Sequence, residues 1–124
     1  MRPRTILILG NYANEYIIEL LADLGFASLL STNIERAVEK LRKEEFAAVI
    51  IDTEHAQSDV LEFVLNLRDI SVSMPVIILG MLENKEVRWA LSSQQRTTVI
   101  ENTKNNRNLA EKMKKVFQQY NLYK

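Results

Sequence analysis

The chain has 124 residues, no cysteine, and sixteen basic residues balanced by sixteen acidic ones. That length suits one domain with one core, and the composition excludes disulfides, thiolate metal sites and a cysteine nucleophile, as in a protein of the reducing cytoplasm. Zero formal charge leaves no global field to draw in nucleic acid or an anionic membrane, while 47% hydrophobic residues exclude a disordered chain and no apolar run is long enough to span a bilayer.

The first element is TILILG at residues 5–10. Together with the preceding MRPR it is too short for a signal-peptide core, so it reads as a strand and not as an export signal. Ile17, Leu20, Leu21 and Leu24 then recur at i, i+3, i+4 and i+7 and stop at Gly25, the period and the terminator of an amphipathic helix. ASLLS at 27–31 is a weaker strand. A second helix carries Ile34, Ala37, Val38 and Leu41 behind Asn33, a residue type that caps helix starts by accepting a backbone N–H. AAVIID at 47–52 and PVIILG at 75–80 resemble the first run in being rich in Ile, Val and Leu without polar alternation, which is the pattern of strands covered on both faces. Between them Val60, Phe63, Val64 and Leu67 mark a third helix. Over 84–94 Val87, Ala90 and Leu91 form the inward face of a short fourth helix and leave Trp89 beside that face. TTVIE at 97–101 is the fifth strand. Leu109, Met113, Val116, Phe117 and Tyr120 are the stripe of a fifth helix over 106–121, capped by Asn106 or Asn108, with a short flexible tail from about 121.

Strands that alternate with helices across short connections fold, by the right-handed crossover rule, into a parallel sheet with helices on both sides. The expected architecture is therefore a flavodoxin-like, doubly wound (βα)5 domain over 1–124, with no linker, repeat or low-complexity tract to suggest a second. In such sheets ligands bind beyond the carboxyl ends of the strands, where strand order reverses. Those ends are Gly10 and Asn11, Asp52, Gly80, and Glu101 and Asn102. An aspartate at a strand end also commonly caps its own loop. Gly10 lacks the companion glycines of a dinucleotide- or triphosphate-binding loop. His55, the only histidine, has no Ser or Cys partner and reads as a loop residue, so no nucleophile triad is proposed. Tyr12, Tyr16 and Tyr123 read as half-buried packing aromatics, and Lys112, Lys114 and Lys115 as the wet face of the last helix.

The run VIIDTEHAQSDVLEFVLNLR resembles the third strand, phosphoacceptor loop and third helix of response-regulator receiver domains, the phosphorylated switches of two-component signalling. The likeness runs the full length: ELLADLGF is similar to the close of the family's first helix, MPVIILG to its fourth strand, and VIENTKNNRNLAEKM to its fifth strand and last helix. It puts Asp52 at the family's phosphorylated aspartate. Receivers hold Mg²⁺ with a pair of acidic residues after the first strand, where this chain has Gly10 and Asn11. Their hydroxyl residue after the fourth strand is matched by Gly80, their aromatic switch residue by Val99, and their lysine and following proline by Asn102 and Thr103, with Lys104 two positions late.

Moving a phosphoryl group onto a carboxylate brings two anions together, which needs a metal ion and cationic donors on the phosphoryl oxygens. Each missing charge partner costs several kcal/mol of transition-state stabilisation, about two orders of magnitude or more in rate. What the resemblance implies is thus an atypical or pseudo-receiver, not an enzyme, with Mg²⁺ binding weak or absent and no other cofactor. Its partners would be proteins: a histidine kinase, an output domain or another regulator. By analogy with receivers, docking or homodimerisation would use the fourth helix, fifth strand and fifth helix, a face carrying Trp89, Arg96, Lys104 and Arg107. The alternatives are a phosphorylatable receiver that uses Asp52 with a non-standard metal site including Glu54, a flavodoxin-like small enzyme or cofactor carrier, and a nucleic-acid-binding module, which the neutral charge disfavours.

Overall fold

Residues 3–10, 15–52, 57–80, 82–101 and 106–122 are described in the computed structural model. The three apolar runs become the inner strands β1 (Thr5–Leu9), β3 (Ala48–Asp52) and β4 (Val76–Leu79), and the two weaker runs become β2 (Ala27–Ser31) and β5 (Thr97–Ile100). Among the described residues five helices alternate with them: α1 (Glu15–Asp23), α2 (Ile34–Lys43), α3 (Gln57–Ile70), α4 (Lys85–Ser92) and α5 (Asn106–Gln119). All strand pairings are parallel, in the order β2-β1-β3-β4-β5. This is the flavodoxin-like, doubly wound order, reached as a single domain.

Alternation along the strands explains why their sequences do not alternate in polarity. Ile6, Ile8, Ala48, Ile50, Ile77 and Leu79 point to one side and pack with Ile17, Leu21, Met113 and Phe117 of α1 and α5. Leu7, Leu9, Val49, Ile51, Val76 and Ile78 point to the other and pack with residues of α2, α3 and α4. Successive side chains stand on opposite faces, so a strand covered twice must be apolar throughout. The edge strands β2 and β5 are covered less, and all but Ile100 of their residues are half-buried or exposed. That is where Ser and Thr fit.

Local chemistry sets the helix ends. Asn33 and Asn84 cap α2 and α4, each side-chain oxygen accepting from the backbone N–H three residues on at 3.1 Å. After α1 the chain turns through Gly25 at φ +93°, and Phe26 N–H returns to Leu21 O at 2.9 Å. α5 closes in the same way. Asn121 takes φ +59°, Leu122 N–H donates to Phe117 O at 2.9 Å, and the Leu122 side chain packs on the core. Phe26 and Phe117 meet edge to face, with ring centroids 5.1 Å apart, so the two closures brace one another.

α4 is shorter than its periodic stretch, yet its inward face is the expected one: Leu91 is buried, Val87 and Ala90 are half-buried, and Trp89 is 74% exposed. Tyr16 is half-buried against the α1/α5 core, whereas Tyr12 and Tyr123 lie outside the described residues. Lys112, Lys114 and Lys115 are exposed on α5. Among the described residues no helix is long and apolar enough to cross a membrane.

Candidate functional site

The order of strands reverses between β1 and β3, and a crevice beyond their carboxyl ends is where this fold places ligands. Asp52 stands there, half-buried on the last residue of β3, with Leu79 of β4 as its register partner. Leu9 pairs with Ile51, so Gly10 is level with Asp52 on the neighbouring strand. Leu79 also pairs with Ile100, which sets Gly80 and Glu101 level one step further out. Four of the positions named from the sequence are thereby brought to one rim: Gly10, Asp52, Gly80 and Glu101. Asn11, Asn102, Thr103, Lys104, Glu54 and His55 lie outside the described residues.

Both rim glycines extend the ladder by one bond. Gly10 N–H donates to Ser31 O at 3.1 Å and Gly80 N–H to Ile100 O at 3.0 Å. Gly80 does so at φ +118°, a region that a residue with a Cβ rarely enters. The position that resemblance matches to a hydroxyl residue therefore has a backbone path suited to glycine, a difference larger than a missing side chain. Val99 is half-buried, opposite Ile78, and packs on the core beneath α3 and α4. It fills its site as an ordinary core aliphatic.

Mg²⁺ is typically held by one or two carboxylates together with phosphate oxygens. Beside Asp52 on the rim, Gly10 offers no side chain. Among the described residues no three His, Cys, Asp or Glu side chains are gathered as for a metal ion.

The residues named for an interaction face are spread out. Trp89 stands exposed on α4 beside a shallow apolar groove lined by Leu61, Val87 and Ala90. Arg96 lies at the opposite end of β5 from Glu101. Its guanidinium sits 5.0 Å over the Tyr120 ring and donates to Tyr120 O at 3.3 Å, so it anchors α5 to the start of β5. Arg107 belongs to the first turn of α5.

Two arginines escaped the sequence reading. Arg68, in the last turn of α3, donates through Nη1 to the carbonyls of Ser71, Val72 and Met74, and through Nη2 to Gln95 O and to Thr97 Oγ1 at 2.8 Å. Burial lowers its pKa from the ordinary arginine value, with Tyr120 raising it and Arg96 lowering it. Arg88, on α4, binds Leu82 O and Glu101 at the rim. A cation in a last helical turn was the available signal for Arg68, since such residues often meet free carbonyls. Nothing comparable marked Arg88.

The same architecture occurs in solved structures. A signal receiver domain of an HD domain-containing protein from Pseudomonas fluorescens Pf-5 superposes with a TM-score of 0.78 at 14% identity, over 98% of this chain and 91% of that one. A CheY-like response regulator receiver domain protein from Methanospirillum hungatei JF-1 gives 0.76 at 17%, over 96% and 97%. Chemotaxis protein CheY4 of Vibrio cholerae gives 0.72 at 18%, over 92% and 98%. The fold is that of CheY-like receivers. No protein-family model matches the chain, and no curated protein matches it.

Proposed function

We propose that this protein is a receiver-like module of two-component signalling in the cytoplasm, whose output is protein docking and not efficient phosphorylation of Asp52. The observation that supports this best is the rim itself: a receiver-shaped sheet carries Gly10 where the family has a metal-binding acid and, at φ +118°, Gly80 where it has a hydroxyl. Asp52 keeps the place of the acceptor without the charges that family chemistry needs around it. The donor set fits Mg²⁺ poorly, and no step is routed through a metal. The two glycines add no side-chain nucleophile, and no enzymatic reaction is assigned.

The docking face runs over α4, β5 and α5, with Trp89 as its anchor, because a large aromatic that is 74% exposed is the kind of residue that dominates an interface once covered. Its partner is a protein: a histidine kinase, an output domain or regulator, or a second copy in a homodimer. Incubation with acetyl phosphate and Mg²⁺ followed by intact-mass measurement tests the reading. We expect no adduct. An adduct that disappears in Asp52→Asn would replace it with a phosphorylatable receiver using a displaced ligand set.

A further inference from the structure

Arg88 occupies none of the positions that the receiver likeness assigns, yet it joins three elements. Nε and Nη2 both donate to Leu82 O, at 3.2 and 2.7 Å, and Nη1 lies 3.4 Å from Oε1 of Glu101. Leu82 is buried in the connection between β4 and α4, and Glu101 directly follows β5. One guanidinium thus ties the helix to the loop before it and to the strand after it. Its planar fork permits this, since separate N–H groups reach separate acceptors from one rigid group.

α4 needs such a tie. It has eight residues, and Leu91 is the buried one among them. A helix that short is marginal on its own and is normally held by tertiary contacts, here the apolar face of Leu91 with the half-buried Val87 and Ala90 together with the bonds of Arg88. Trp89, adjacent to Arg88, adds almost nothing to burial because it faces solvent. Arg88 therefore adds polar contacts to that apolar face in fixing where the exposed tryptophan stands.

We infer that Arg88 and Glu101 are the positioning residues of the α4 docking face: a cation–carboxylate latch that sets where α4 and Trp89 stand relative to the end of β5. The latch occupies the corner where the likeness matches a hydroxyl and an aromatic to Gly80 and Val99, two residues that offer no polar side-chain group. Its two halves differ in strength. The pair with Glu101 is partly exposed, at 42% and 44%, and an ion pair of that kind is weak and screened by salt. The bonds from a charged donor to Leu82 O are stronger. Breaking the first loosens the helix from β5, and breaking both also frees the loop. The role as a docking face rests on the proposed function, whereas the latch itself does not.

Site-resolved amide hydrogen exchange on the full chain tests this, with acetyl phosphate and Mg²⁺ as a separate arm. Arg88→Ala should speed exchange over residues 82–92 by about tenfold or more and leave β1 and β3 unchanged, and Glu101→Gln should give a smaller acceleration. Arg88→Lys keeps the charge without the fork and should fall between wild type and Arg88→Ala. In the charge-swapped chain, Arg88→Glu with Glu101→Arg, exchange should be slower than in Arg88→Glu alone but stay faster than in Glu101→Gln, because the pair returns while the bonds to Leu82 O do not. Exchange over 82–92 that stays within about twofold of wild type in Arg88→Ala, or an acceleration equal in β1 and β3, overturns the latch and leaves the function untouched. Conversely, an Asp52 adduct on the phosphodonor arm overturns the function and leaves the latch standing.

Discussion

At the amino end of the sheet, Arg68 threads its guanidinium between the segments that enter β4 and β5, while Arg96 covers Tyr120 and Tyr120 Oη lies 2.5 Å from Thr98 Oγ1. At the carboxyl end stand Gly10, Asp52, Gly80 and Glu101, the last in a partly exposed pair with Arg88 of α4. One end spends long cationic side chains on fixing loops, most of their bonds going to backbone carbonyls. The other presents two glycines and two carboxylates, with Arg88 of α4 paired to one of them. Structural and functional demands are thereby separated along the strand direction: the amino end holds β4 and β5 in place, which frees the carboxyl end to vary in chemistry without loss of fold.

Substitutions at the two ends should differ in size accordingly. The largest effect is expected for Arg68→Ala, which leaves several carbonyls and Thr97 Oγ1 without their donor and should lower stability by about 2–3 kcal/mol in urea unfolding. A loss below about 0.5 kcal/mol would mean that water replaces the guanidinium freely and that the amino end is not pinned. Gly80→Thr comes next. Restoring the hydroxyl side chain places a β-branched residue at φ +118° and should cost about 1–2 kcal/mol without creating an adduct with acetyl phosphate. Should the variant become phosphorylated at unchanged stability, the backbone at that corner does not limit the chemistry.

Tyr120→Phe removes the hydroxyl that meets Thr98 but keeps the ring under Arg96, so a loss of about 1 kcal/mol is expected, measured by thermal unfolding. Trp89→Ala should change stability least, by under about 0.5 kcal/mol, because the side chain is already in water. Its effect belongs in association: sedimentation of wild type and variant across a concentration series, or binding to a candidate kinase, should separate them where unfolding does not. A variant that unfolds much more easily would reassign Trp89 to the core edge.

Element type was legible because burial imposes a period. TILILG, AAVIID and PVIILG read as strands covered twice and are so, and Asn33 marked a helix start that Asn84 repeats at α4. Even the short α4 followed its pattern, since Val87, Ala90 and Leu91 recur at the helical spacing and Trp89 does not. Boundaries moved by a residue or two where propensity is weak. The rim positions of Gly10, Asp52, Gly80 and Glu101 were legible too, because a strand's last residue is fixed in space by the topology that its neighbours create.

What the sequence determined alone is therefore the alternation, the parallel sheet and the address of Asp52, all of which follow from side-chain period and chain connectivity. Tertiary structure decided the rest. Glycine permits φ +118° at position 80 without requiring it, and Gly10, with an equivalent bond from its N–H, does not take a positive φ. Arg68 and Arg88 meet acceptors in segments brought near by folding, and an arginine's reach carries no sequence period that would announce them. Periodic burial is written along the chain, whereas a single long polar side chain finds its partners only once the helices have closed over the sheet.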